Sequence, residues 1–597
     1  MGRYLPTGNE RISLPKLNEK TAGVEDFTFL SMQHKGLIEV RGSQNTPLMM
    51  PFVQEEGAEL PLSHMHWERA HHWIPTLNAK AGGHDFAMTV LTPVGERGFA
   101  IKLSLTAGEE AEVLWGLKGC WDSSWHCVNE DKELEGKAHC YESGWNGSLI
   151  FDFRCGAPMF AFAPMCHRET EAQYAFEGNR ISYSLFKRET LKKGETAELI
   201  FYWGLGYEEV AAATSAKEML RRGWDWEYAR TARWLDERAC TLATEKRTRL
   251  YNTNLFFCIF YSTGITLDTE ELVCATSRGT RYYVSAAYWD RDVLLWAFPA
   301  ILEADVELAG EMLRYVFGRQ GRNLGVHSRY IDGTVLEPGF ELDELMAPLI
   351  ALEAYAEKTG DRELLEETRV QKGICRILKT LQSVKHPEIA LYETFLQPTD
   401  DEIVHPYLTY NNVLVWRGLR ALAKLYPCRY GFLAEQAEKV KAAVYEHCVF
   451  KTEEGKAYFA WSVDLQGHHN IYDEPPGSLQ LLPYYGFCSV EDEIWRSTVS
   501  MIRSPLYAYS FADSPIAEIG CAHAPYPWIL SLCNSLLCGH AAQAFRELEV
   551  LEMDNGIACE SVDPVSGRCT TGAAFATCAG FLCHSMKRAD KEGFCAE

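Results

Sequence analysis

The sequence predicts an antiparallel β-sandwich followed by an (α/α)6 toroid barrel, and three observations carry that expectation. The chain up to about residue 207 alternates in short β-type runs bounded by Gly, Asn or charged turns. From about residue 244 the apolar residues recur at helical spacing. The connections between those helical segments alternate between tight turns and long loops.

Stretches such as GFAIKLSLTAG, AEVLWGLKG, SLIFDFRCG and TAELIFYWGLG supply the strands of a sandwich domain over residues 1–207, which is read as architectural. Residues 208–244 read as a helical linker. The barrel is expected over 245–590, with helices at 246–262, 289–303, 305–319, 343–359, 361–384, 409–425, 431–447, 490–503, 526–538, 539–552 and 570–586. A short helix near 478–486 brings the total to about twelve. Tight turns (EAD, KTGD, LYPCRYG) alternate with the loops 263–288, 320–342, 385–408, 449–478, 504–525 and 553–569. Helices paired this way form a closed ring of six hairpins with one face built of functional loops.

The 597 residues are 47% hydrophobic and carry a formal charge of −24, a surface that repels phosphate backbones, so nucleic acid is not an expected partner. No apolar run approaches the ~18 residues of a membrane span. The first twenty residues are polar and lack the basic end, apolar stretch and small-residue site of a secretory signal. The twenty cysteines are scattered without CxxC pairs, as expected for free thiols in a reducing cytoplasm. One Asn-Gly-Ser sequon lies at Asn146. A homodimer is compatible with this composition.

The long loops hold the unusual chemistry: YYVSAAYWDRDVLLWAF, GVHSRYIDGTVLEPGFELDEL, YETFLQPTDDEIVHPYLTYNNVLVW, HHNIYDEPPGSLQLLPYYGF, AEIGCAHAPYPWIL and NGIACESVDPVSGRCTTGAAFATCAGF. Each mixes aromatics with hydrogen-bonding side chains, the combination that sugars need for their C–H faces and hydroxyls. Neither a Gly-rich turn nor a phosphate-binding Lys stands where a nucleotide would require it. His468 and His469 are adjacent and do not suit one metal centre, so neither metal nor cofactor is expected.

Residues 340–361, FELDELMAPLIALEAYAEKTGD, crowd Glu341, Asp343 and Glu344 at the front of an apolar helix. Asp343 shares a face with Met346, Ala347 and Ile350, at offsets of three, four and seven, and so points into the ring. Glu344 is rotated off that stripe and is expected to be solvated or paired. A helix-capping Asp is the plain alternative for Asp343. A catalytic acid there must hold a proton near neutral pH against the helix dipole, through an apolar cage or a neighbouring carboxylate such as Glu341 or Glu560.

Several stretches resemble known families. YWDRDVLLWAF resembles the aromatic–Arg–Asp motif of glucoamylase-type and debranching enzymes. ELDELMAPLIALEAYAEKTGD is similar to a helix of the glycogen-debranching amylo-α-1,6-glucosidase domain and to the Glu-Leu-Asp-Ser-Leu stretch of metal-independent exo-α-mannosidases. YNNVLVWRGLRALAKLY resembles the Asn-Ala-Leu-Trp helix of that superfamily, and ACESVDPVSGRCTTGAAFATCAGFL the C-terminal segment of processing α-glucosidases. The matches follow the family order across most of 245–590.

The resemblance implies an inverting, exo-acting glycoside hydrolase that releases a terminal sugar from a small α-linked oligosaccharide or glycoside, an α-glucoside first and an α-mannoside next. It implies Asp343 as general acid and Glu560 as general base, with Arg291 and Asp292 on the outer hydroxyls. Tyr288, Trp289, Trp416 and Trp528 are candidates to stack on the sugar or pack in the core, and one of Asn411 and Asn412 is expected to face the site. Asp290, Glu337 and Glu341 complete the expected lining, with Glu337, Glu393 and Glu474 as reserve carboxylates for the base. The chain departs from its relatives at GAAFATCAG and at QPTDDE. A phosphorylase of the same plan, a sugar epimerase or lyase using His327, His405 or His523, and a non-catalytic carbohydrate-binding protein are the competing readings.

Overall fold

The computed structural model describes residues 3–144 and 147–591. The Asn146 sequon lies outside the described residues. The chain divides into two compact units: 1–239 with 263–272 and 278–286, and 240–262 with 273–277 and 287–597.

The first unit is built on three antiparallel sheets of six, eight and five strands. Gly98–Thr106 is central to the eight-stranded sheet, pairing with His84–Leu91 on one side and Thr196–Gly206 on the other. Along Ala111–Trp121 and Arg180–Leu191, which pair over their whole length, burial largely alternates as expected for strands with one face on a core. That core is aromatic: Phe151 stacks on Phe162 at 4.8 Å, and Trp121 meets the edge of the same ring at 5.1 Å. Helices Glu209–Arg222 and Trp224–Arg238 belong to this unit.

The second unit is helical in two layers. Leu342–Thr359, Thr409–Leu425 and Ile529–Leu537 are buried on nearly every side, which marks an inner layer. Val306–Gly318, Thr368–Ser383, Leu433–His447, Glu493–Ile502 and Ala541–Leu548 each bury one stripe and expose the other, as outer helices do. Helix Leu342–Thr359 stops at Gly360, whose φ of +69° gives the left-handed cap.

Several expected helices differ, and the one expected over 570–586 begins only at Ala576 because Cys569–Thr571 is taken up as a strand. Residues 478–486 form only one short 3-10 turn, Leu479–Leu481, preceded by another at Pro475–Gly477, because Pro475, Pro476 and Pro483 withhold backbone donors. The expected 361–384 helix breaks at Glu367, whose extended ψ of 134° separates Glu363–Glu366 from Thr368–Ser383. The segment after Asp290 opens as a π-helix, Arg291–Ala297, before becoming α-helical at Phe298–Ala304. Such wide turns recur at functional sites.

Candidate active site

The front of helix Leu342–Thr359 places Glu341, Asp343 and Glu344 wholly out of solvent. Burying three carboxylates is costly unless each has partners. Glu344 takes the backbone amides of Asp290 and Arg291, the latter at 2.9 Å, and so caps the π-helix that carries the Arg-Asp pair. It is therefore paired and not solvated. Arg329 closes this arrangement, bonding Asp290 and reaching Glu344 at 3.5 Å.

Arg291 is the hub of the site. Its Nη1 donates to Glu341 at 2.5 Å and to Asp343 at 3.1 Å, and its Nη2 donates to Asp400 at 2.6 Å. Asp292 stands 3.7 Å from its Nε. His327 joins Glu341 through Nδ1. Burial pushes Glu341 up to about 7, with Arg291 opposing and the Asp400 charge adding to the rise. Burial likewise raises Asp292 to about 7, again against Arg291. For His327 burial works against charging, but the Glu341 bond and the Asp400 charge outweigh it and its value rises. Burial thus disfavours the charged form of Glu341, which shares Arg291 Nη1 with Asp343, and of Asp292 at Arg291 Nε. Asp343 Oδ1 is buried without a hydrogen-bond partner.

Glu560 is presented by a different device. Ser561–Val562 pairs antiparallel with Cys569–Thr571, and Asp563 turns the chain between them by accepting from the amides of Val565 and Ser566. Thr571 Oγ1 donates to Glu560 Oε1 at 2.7 Å, while the Glu560 carbonyl accepts from the Ile529 amide at 3.0 Å. The Cys578 thiol feels both Asp292 and Glu560, which sets the base candidate within electrostatic range of the Arg291 group.

The expected site residues separate into those that join this group and those that do not. Trp289 Nε1 stands 3.4 Å from His327 Nδ1, and Glu337 stands 3.4 Å from the other ring nitrogen of that histidine. Trp528 caps helix Ile529–Leu537, bridges to Ser561 beside Glu560 and lies 6.4 Å from the His523 ring. Tyr288 and Asp290 turn away, bonded to each other at 2.6 Å under the Arg329 guanidinium. Trp416 belongs to the outer packing, edge-on to Phe487 at 5.3 Å with Arg420 and Lys441 over its ring. Glu393 is exposed and accepts from Tyr407.

Asn411 and Asn412 divide cleanly. Asn412 accepts from the Tyr392 amide at 2.8 Å and donates to the Tyr392 and Leu408 carbonyls at 3.0 Å, a structural clasp. Asn411 is buried with both Oδ1 and Nδ2 unpartnered. Asp400 was not foreseen. It sits in QPTDDE with φ +70°, a conformation Asp tolerates better than most residues. His327, Glu341 and Asp400 have the mutual spacing of metal ligands, but the Arg291 guanidinium already bridges Glu341 and Asp400.

Residues 384–586, about a third of the chain, match the family model of the metal-independent α-mannosidases. No curated protein matches the chain. Among solved structures, a metal-independent α-mannosidase of Streptococcus pneumoniae, in a non-productive complex with α-1,6-mannobiose, is 17% identical with a TM-score of 0.51, over 58% of this chain and 94% of that one. A bacterial glucoamylase bound to acarbose is 12% identical with a TM-score of 0.64, over 99% of this chain and 95% of that one. A protein from the human microbiome assigned as a kojibiose phosphorylase is 10% identical with a TM-score of 0.61, over 98% and 86%. No helix among the described residues is long and apolar enough to cross a membrane. The chain is an enzyme of the glycoside-hydrolase kind, built as an antiparallel β domain followed by the (α/α)6 fold that these proteins share.

Proposed function

We propose that this enzyme is an inverting, exo-acting glycosidase that removes the terminal sugar of a small α-linked oligosaccharide, with Asp343 as general acid and Glu560 as general base. The observation that carries this reading is the buried, unpartnered Oδ1 of Asp343, held by Arg291 through its other oxygen at 3.1 Å. An oxygen oriented on one side and open on the other is what a proton donor to a glycosidic oxygen requires.

In the reaction, Asp343 protonates the glycosidic oxygen as the bond from the anomeric carbon to it breaks. Glu560 takes a proton from water as that water's oxygen bonds the anomeric carbon from the opposite face. Inversion requires the two carboxyls to stand roughly 6.5–9.5 Å apart, leaving room for the water. Burial disfavours the charged forms of Asp292 and Glu341, both pushed up to about 7, within the cluster around Arg291. Glu560 accepts the Thr571 hydroxyl on Oε1, which orients its carboxyl.

An α-mannoside is the preferred substrate, because the α-mannosidase family model spans the segment holding Asn411, Glu474 and Glu560. An α-glucoside is the second reading, favoured by the fold shared with glucoamylase along nearly the whole chain. A panel of aryl α-mannosides and α-glucosides, followed by proton NMR with and without phosphate, tests both. Hydrolysis with first release of the β-anomer is expected. Release of the α-anomer, or turnover only with phosphate, would overturn the mechanism.

A further inference from the structure

Buried polar atoms in folded proteins are nearly always hydrogen-bonded, so orphans in a binding site point to what a ligand supplies. Beyond Asp343 and Asn411, one more carboxyl in this neighbourhood has such an atom. Glu474 is completely buried; its Oε1 accepts from Thr399 Oγ1 at 2.7 Å, and its Oε2 has no hydrogen-bond partner.

The backbone around Glu474 is pinned on both sides. Asp473 accepts from Ser478 Oγ at 2.6 Å and from the Leu479 amide at 2.8 Å, and its carbonyl accepts from Tyr507 at 2.7 Å. Asn534 Nδ2 donates to the Pro475 carbonyl at 3.0 Å. At Gly477 an added Cβ would fall 2.4 Å from Pro398 and 2.9 Å from the Tyr410 ring, so this turn packs directly against the residues preceding Thr399 and Asn411. Through Thr399 the carboxyl is one residue from Asp400, whose partner is Arg291. The Cys521 thiol feels both Glu474 and Glu560. Glu474 is thus tied through Thr399 to the loop that carries Asp400, and shares the Cys521 thiol with Glu560 as an electrostatic neighbour.

We propose that Glu474 is a specificity-determining residue that hydrogen-bonds a ring hydroxyl of the terminal glycosyl unit through Oε2, while the Asn411 carboxamide takes a second hydroxyl. The assignment rests on the glycosidase reading above. A hydroxyl both donates and accepts, which answers the unpartnered oxygen of Glu474 and the paired donor and acceptor of Asn411. Burial raises Glu474 well above the usual carboxylate range, and the Asp401 and Asp473 charges add to this, against the Thr399 hydroxyl. A sugar hydroxyl on Oε2 serves either form of the carboxyl, since it donates as well as accepts. Losing such a partner costs a substrate far more than losing a methylene, because the protein group is left buried and unpaired.

The test compares E474Q, E474L and E560Q on 4-nitrophenyl α-mannoside and its monodeoxy analogues, with binding of methyl α-mannoside followed by calorimetry. E474Q keeps a hydrogen-bonding group and is expected to lower kcat/KM by about tenfold or less. E474L is expected to lower it about a thousandfold on the full sugar, but by less than about tenfold on one monodeoxy analogue that already lacks the hydroxyl. E474Q as inactive as E560Q, or an E474L penalty equal on every analogue, would overturn the proposal. Should E560Q retain full rate, the base assignment fails, while the analogue pattern still decides Glu474. Should no glycoside turn over, the calorimetric arm decides: E474L must lose methyl α-mannoside but not one deoxy analogue. Should E474L not fold, E474Q on the same analogues decides, since its small loss must vanish on one of them.

Discussion

Arg329 and Arg291 are two buried arginines among carboxylates, fully enclosed in the same helical unit, yet they end differently. Arg329 meets Asp290 and Glu344, and those carboxylates are in turn closed by Tyr288 and by two backbone amides. Arg291 meets Glu341, Asp343 and Asp400, and its network ends on the unpartnered Oδ1 of Asp343 and the half-exposed Asp400. In the first network every carboxylate oxygen is met from within the protein, although Arg329 Nε is left without a partner. In the second a carboxylate oxygen, Asp343 Oδ1, is left unmet. Buried charge alone does not mark a site; the unfinished end of a charge network does.

The sharpest way to break this comparison is to remove each arginine. R291M should lower kcat/KM more than about a thousandfold, because Asp343 loses its orienting partner. Its melting temperature should change less than that of R329M, since Asp292 and Glu341 can take up protons near pH 7. R329M strands Asp290 and Glu344 and should cost about 3–5 kcal/mol in chemical denaturation. Equal stability losses in the two variants would remove the distinction.

The adjacent asparagines sharpen it at smaller scale. N412L leaves the Tyr392 amide and carbonyl without their clasp and should cost about 2–3 kcal/mol of stability. N411L should leave stability unchanged or higher while cutting kcat/KM about a hundredfold. The opposite pattern would place Asn412, and not Asn411, at the sugar.

A pH series tests the electrostatics. Asp292, Glu341 and Asp473 are each pushed up to about 7 in the folded chain by burial. In the unfolded chain they titrate near 4, so between about pH 4 and 7 the folded state binds more protons and its stability falls as pH rises. The melting temperature should be higher at pH 5.5 than at pH 8, and D473N should flatten that slope. A stability that rises across this window would contradict the assignment. Smallest of all, W416F should cost about 1–2 kcal/mol with KM unchanged, as expected of a ring in the outer packing.

Much of the fold was legible because periodicity is local. Thr409–Leu425 appeared at the expected bounds, whereas Asp343 is buried with nearly all of its helix, and Ile350, on the stripe that pointed to it, is only half-buried. Periodicity gives no direction where an inner helix is buried all round. Glu344 lay off the chosen stripe yet meets a second protein surface, and Trp416 lies in the outer packing with Phe487 and Lys441. Residues one apart on a helix differ by about 100°, so the sequence could not choose between Asn411 and Asn412. Asp400 and Glu474 sit in loops without a period, where pattern offers no signal.

Composition and apolar spacing by themselves determined the β-then-helical order, the paired helices and the acidic, aromatic character of the long loops, because these depend on residues a few positions apart. Which arginine's carboxylates are all met and which are not was decided only by tertiary structure. That difference depends on hydrogen bonds between groups up to 109 residues apart, as between Arg291 and Asp400, and no local pattern encodes where such a bond is missing.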